Sequence, residues 1–123
     1  MMLKIHCTIT NAIANASLAS DLKPEDVVLG LNTENYNPKD PEYLPAPVFI
    51  KGEQVAAFEL NLYTGYVDEV RVYYETLRQV CPKWMIDPNC NWFTIHRGSR
   101  MPDLIYQLAR SLVTGEVLDL TDL

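Results

Sequence analysis

Along residues 3–10, Leu3, Ile5, Cys7 and Ile9 alternate with Lys4, His6, Thr8 and Thr10. A period of two predicts a β-strand with one polar face, on which His6 points away from the core beside Lys4 and Thr8. The pattern changes at Asn11. Ile13, Ala14 and Leu18 fall at helical spacing in an Ala-rich stretch, predicting a short helix over 11–20. Lys23-Pro-Glu-Asp26 reads as a turn, and Val27 to Leu31 as a short apolar strand.

Residues 32–47 interrupt this alternation with Pro38, Pro41, Pro45 and Pro47, three asparagines, and Tyr36 and Tyr43. Proline removes backbone donors, so this segment is expected to be a long loop without regular helix or central strand. After it, Val48-Phe-Ile50, Lys51-Gly-Glu53 and Gln54 to Leu62 have the form of a β-hairpin around a glycine-containing turn. The Phe58, Leu60 and Leu62 side of its second arm is expected to be buried. Tyr63-Thr-Gly-Tyr66 supplies another turn.

From Val67 onward two periods compete. Val67, Val70, Tyr74, Leu77 and Cys81 lie on one helical face, with Asp68 and Glu69 early, Arg78 late and Pro82 as a stop, so a helix over 67–81 is expected. Val70, Val72 and Tyr74 also alternate, which leaves a strand over 66–74 as the rival. Lys83 to Asn91 reads as a loop and Trp92 to His96 as a buried strand. A helix capped near Ser99 is then expected to run to about Thr114, with Pro102 in its first turn. Leu104, Ile105, Leu108, Ala109 and Leu112 would form its apolar stripe, Gly115 its end, and 116–123 an acidic tail that is extended or adds an edge strand. Strands and helices without regular βαβ alternation imply one α+β domain over 1–123. Its expected form is a mainly antiparallel sheet of four to six strands with two or three helices packed on one face.

At 123 residues and 48% hydrophobic, the chain can bury a core without needing disulfides or metal. Cys7, Cys81 and Cys90 lack CxxC spacing, which favours reduced thiols and a cytoplasmic setting. No apolar run approaches the roughly 20 residues of a membrane helix. Thr8, Thr10, Asn11, Asn15 and Ser17 break up any signal-peptide core, so no secretory route is expected for the formal sequon at Asn15. The net charge of −6 is uneven: residues 21–75 hold eleven carboxylates against four bases, and residues 76–110 five bases against two carboxylates. That balance lacks the basic footprint of a nucleic-acid binder and suits a protein partner with a basic surface.

Candidate chemistry concentrates at His96-Arg97-Gly98-Ser99-Arg100. Two guanidinium forks, a hydroxyl and a following helix start suit an anionic ligand, phosphorylated or carboxylated, with His96, Arg97, Ser99 and Arg100 as contacts. Pairing of the same arginines with the chain's own surplus carboxylates is the commoner arrangement. No dinucleotide or P-loop pattern, zinc spacing or activated thiol is present, so no cofactor or metal is implied. Ile5-His6-Cys7-Thr8 resembles one of the two His-x-Thr/Ser motifs of the 2H phosphoesterases. The resemblance covers four residues and implies His6 and Thr8 working with a second histidine, His96. At the second position the chain departs from the family, with Gly98 where a hydroxyl belongs and Ser99 one place later.

Tyr36, Tyr43, Tyr73, Tyr74 and Trp84 are the expected interface residues, because tyrosine and tryptophan near arginine is a common contact composition. The leading expectation is therefore a small acidic intracellular binding protein that docks on a partner, itself basic or nucleic-acid-binding, and regulates or inhibits it. A small-anion binder and a phosphoesterase are the alternatives, and a homodimer is compatible with the small size.

Overall fold

Five strands follow one another across the sheet in chain order, every neighbouring pair antiparallel. They are β1 (Met2–Ile5), β2 (Val27–Asn32), β3 (Tyr43–Ile50), β4 (Glu53–Asn61) and β5 (Val67–Val72). Helix α1 (Thr8–Ala16) lies between β1 and β2 in sequence, and α2 (Tyr74–Val80) and α3 (Asp103–Thr114) follow β5. The computed structural model describes residues 2–16, 22–34, 36–82 and 96–115. The loop expected at 83–91 with Trp84 and Cys90, and the acidic tail at 116–123, lie outside the described residues, as does the strand expected at 92–96 except for His96, which is described and is not in a strand.

One face of the sheet carries the core. Leu29, Leu44, Val48, Phe58 and Leu60 are almost wholly buried there with Ile9 and Ile13 of α1, Leu77 of α2, and Ile105 and Ala109 of α3. Burial of Phe58, Leu60 and Leu62 matches the alternation read from β4. By the same alternation, Tyr43, Pro45, Ala57, Glu59, Glu69 and Arg71 belong to the opposite face. The result is a single small α+β domain.

Several boundaries differ from the sequence expectation. The first strand ends at Ile5 and α1 begins at Thr8, three residues before the helix read from the pattern. The switch is local: the Thr10 hydroxyl accepts from the Cys7 N–H at 2.8 Å and donates to the Cys7 carbonyl at 2.9 Å, closing the first helical turn. Thr10 is consequently buried rather than presented on a polar strand face.

The proline-rich segment is corrected more strongly, because Pro45 and Pro47 lie inside β3, the middle strand of the sheet. β3 pairs with β4 from Tyr43 to Ile50, but its register with β2 covers only Val48–Ile50, beyond both prolines. Gly30 of β2 makes room for the proline ring: a Cβ there would lie 3.1 Å from Pro47 Cγ and 2.8 Å from Met2 Sδ. The β3–β4 turn places Lys51 and Gly52 at φ of 51° and 84°, the pair of left-handed residues that a two-residue hairpin favours.

The 67–81 segment divides between its two periods. Residues 67–72 form β5, and only 74–80 are helical. Pairing with β4 overrides the helical stripe, and the Tyr73 N–H still donates to Val55 O at 2.8 Å before the chain turns into α2. The last helix is close to expectation at its end, where Gly115 adopts φ 74° and its N–H reaches Ser111 O. Its start differs. Pro102, not Ser99, occupies the N-cap position, without a side-chain cap, and Leu104 is 42% exposed instead of joining the buried stripe.

Candidate functional site

The basic segment is held as an addition to β5. Gly98 N–H donates to Val67 O at 2.7 Å, Val67 N–H to Ser99 O at 2.8 Å, and Met101 N–H to Gly65 O at 2.7 Å. Arg100 forms an antiparallel bridge with Tyr66. These bonds turn the backbone donators of 98 and 101 toward the sheet, where carbonyls rather than an anion receive them. Arg97 reaches across to Glu69 at 3.1 Å, and Arg100 lies 3.9 Å from Asp103. Because α3 starts at Asp103, the 97–100 loop is separated from its first turn.

The predicted site residues are only partly brought together. A small cavity of about 230 Å³ is lined by Thr8 and Ile9 from the start of α1 and by His96, Ser99, Arg100 and Pro102. Arg97 and His6 are not among its lining residues. His6 instead donates from Nδ1 to Val27 O at 2.9 Å, tying the end of β1 to the start of β2. The His96 ring packs against Phe58 with centroids 6.0 Å apart. Its Nε2 is sealed from solvent with no hydrogen-bond partner among the described residues, and burial holds the imidazole below its ordinary pKa. A neutral, enclosed ring is poorly placed to exchange protons with a substrate.

A second arrangement was not apparent from sequence neighbours. Strand register sets Glu59 directly opposite Glu69, and Pro45 opposite Glu59. Asp40, Tyr43, Glu59, Glu69 and Arg71 line a groove of about 480 Å³ between the 37–43 segment and strands β3 to β5. Like charges directly opposite one another in a sheet destabilise it. The Glu59 carboxyl is pushed above its usual range, first by burial and then by Asp68, Glu69 and Asp40, with Arg71 acting the other way. Tyr43 on the groove wall is also raised, chiefly by Glu42, with burial and Asp68 adding to it. Among the described residues no three His, Cys, Asp or Glu side chains converge to hold a metal ion.

Behind the groove, buried Asn61 fastens the 62–66 turn. Its Oδ1 accepts from the Tyr63 and Thr64 N–H groups at 2.9 and 3.0 Å, and its Nδ2 donates to Asp68 at 2.9 Å and Glu42 at 3.3 Å. The expected interface residues are dispersed. Tyr43 opens β3, Tyr36 donates its hydroxyl to Pro41 O, Tyr73 is 37% exposed ahead of α2, and Tyr74 lies beneath Arg78. Tyr63 and Tyr66 are the more exposed tyrosines, at 69% and 45%. The run 63–66 signalled a turn but not how fully it presents its rings.

Cys7 and Cys81 are free, and burial raises the Cys81 thiol, as suits a packed rather than a reactive cysteine. No helix among the described residues is long and apolar enough to cross a membrane. Compared with protein-family models, curated proteins and solved structures, the chain gives no match.

Proposed function

We propose that this protein is a small acidic binding module whose groove beside Glu59 docks on the basic surface of a protein partner, and regulates or inhibits that partner by covering it. The direct cross-strand opposition of Glu59 and Glu69 carries this reading. Arg97 already meets Glu69 at 3.1 Å, so an arginine or lysine entering the groove chiefly offsets the other carboxylates gathered around Glu59, Asp40 and Asp68 among them. Tyr43 adds an aromatic wall on which a guanidinium can stack.

An eight-arginine peptide is the direct probe. Its affinity should fall steeply between low and high salt. It should also fall on Asp40→Asn with Glu59→Gln, while Glu25→Gln, outside the groove lining, leaves it unchanged. Affinity insensitive to salt, or lowered equally by Glu25→Gln, would refute the reading.

A second reading is supported by the cavity at Thr8, Ser99 and Arg100, which gathers a helix start, a hydroxyl and a guanidinium. It suits a small phosphorylated or carboxylated ligand. Such a ligand should raise the melting temperature of the native chain and not that of Arg100→Ala; equal stabilisation of both would remove this alternative.

A further inference from the structure

A separate cavity of about 350 Å³ lies between α3, the 62–66 turn and the 36–41 segment. Tyr36, Leu62, Tyr63, Tyr106, Arg110 and Val113 form most of its wall. Its size falls at the lower end of the roughly 300–1,000 Å³ typical of small-molecule pockets.

Two of the three tyrosine hydroxyls are already directed at the protein. Tyr36 donates to Pro41 O at 3.1 Å, and Tyr106 donates to Leu62 O at 3.0 Å. Thr114, also on the wall, donates to Arg110 O at 2.7 Å. These groups therefore offer an occupant ring and aliphatic carbon more than hydrogen bonds.

Tyr63 is 69% exposed, yet its backbone is fixed by the Asn61 side chain. A fixed backbone confines where the ring can lie, so less freedom is lost when a ligand settles on it. The charged member of the wall is Arg110. Its guanidinium lies over the Tyr106 ring at 5.6 Å and donates to the Tyr106 hydroxyl at 3.2 Å. A cation already stacked on that ring disfavours a second cation in the cavity, and its forked donors match a carboxylate. Contacts of an exposed arginine are exchanged at little cost, so a ligand carboxylate can replace one.

We infer that this cavity binds a small molecule with a flat or aliphatic carbon body and a single carboxylate, the body against Tyr36, Tyr63 and Tyr106 and the carboxylate on Arg110. This site uses none of the acids that line the groove and stands independently of the docking reading.

The test is a heteronuclear NMR titration of the full chain with 1-naphthoate and, in parallel, with neutral 1-naphthamide. Naphthoate should give saturable shifts centred on Leu62, Tyr63, Tyr106 and Arg110 and bind about tenfold more tightly than the amide, as a charge-assisted bond implies. Arg110→Gln should erase that preference, and Tyr63→Ala should weaken naphthoate in the otherwise native chain. Both positions are exposed, so these variants keep the fold. Unsaturable binding, equal affinity for the two probes, a preference surviving Arg110→Gln, unaltered naphthoate affinity in Tyr63→Ala, or shifts centred on Thr8 and Ser99 would each overturn the inference.

Discussion

In the basic segment the two arginines lie beside carboxylates, Arg97 on Glu69 and Arg100 near Asp103, and the peptide donors of 98 and 101 are spent on Val67 and Gly65. In the acidic groove, by contrast, Glu59 is set opposite another carboxylate and is pushed up by Asp68, Glu69 and Asp40 as well as by burial. The first region uses its charges to secure a chain segment to β5. The second shares Glu69 with the first, yet gathers further carboxylates around Glu59 that a cationic partner would offset. A concentration of functional-looking residues in sequence is thus a weaker guide here than carboxylates from distant positions brought together by strand register.

The largest expected effect tests the sheet that underlies both regions. Phe58 is fully buried and contacts the His96 ring, so Phe58→Ala should cost about 3–5 kcal/mol in urea unfolding. A loss below 1 kcal/mol would mean that the core does not support both surfaces as described.

A subtler change sharpens the contrast by pH. Because the folded-state pKa of Glu59 is raised, its contribution favours folding below the ordinary carboxylate range and is lost as pH rises through the raised value. Glu59→Gln should therefore be more stable than the native chain at neutral pH, with the advantage disappearing by about pH 3. Destabilisation at pH 7 would show that Glu59 makes a favourable contact outweighing the repulsion.

His96 has the opposite sign. Its lowered pKa means that stability falls as pH drops below about 6.5, where the unfolded imidazole takes up a proton first. His96→Gln should flatten that part of the stability profile; an unchanged slope there would contradict burial of the neutral ring.

The smallest effect concerns the paired arginine. Arg97 and Glu69 side chains are 60% and 56% exposed, so Arg97→Ala should change stability by no more than about 1 kcal/mol. It should also strengthen binding of a cationic peptide by freeing Glu69. Weakened peptide binding would indicate that Arg97 organises the groove rather than neutralising it.

Much of the fold is legible because the apolar run 27–31 and the alternation in 54–62 coincide with buried strand positions, and because Gly52 and Gly115 stand where left-handed backbone is needed. The errors arose where a distant partner decides the local state. Pro45 and Pro47 fit a middle strand only because the registered pairing with β2 stops short of them and Gly30 leaves room for a ring. Residues 67–72 carry a helical stripe but are held by β4; the early start of α1 is instead a local matter, Thr10 bonding back to Cys7 three residues earlier. The basic loop was visible as a cluster, whereas Asp40, Glu59 and Glu69 are separated by ten residues or more and meet only through strand pairing.

Mapping an eight-arginine peptide onto the isotope-labelled protein at low salt decides whether the groove beside Glu59 receives a cationic partner. Amide shifts are expected to centre on Asp40, Tyr43, Ala57, Glu59 and Glu69 to Arg71, and to disappear in Asp40→Asn with Glu59→Gln. Shifts spread evenly over the acidic surface, or centred on Glu25 and Asp26, would contradict docking there.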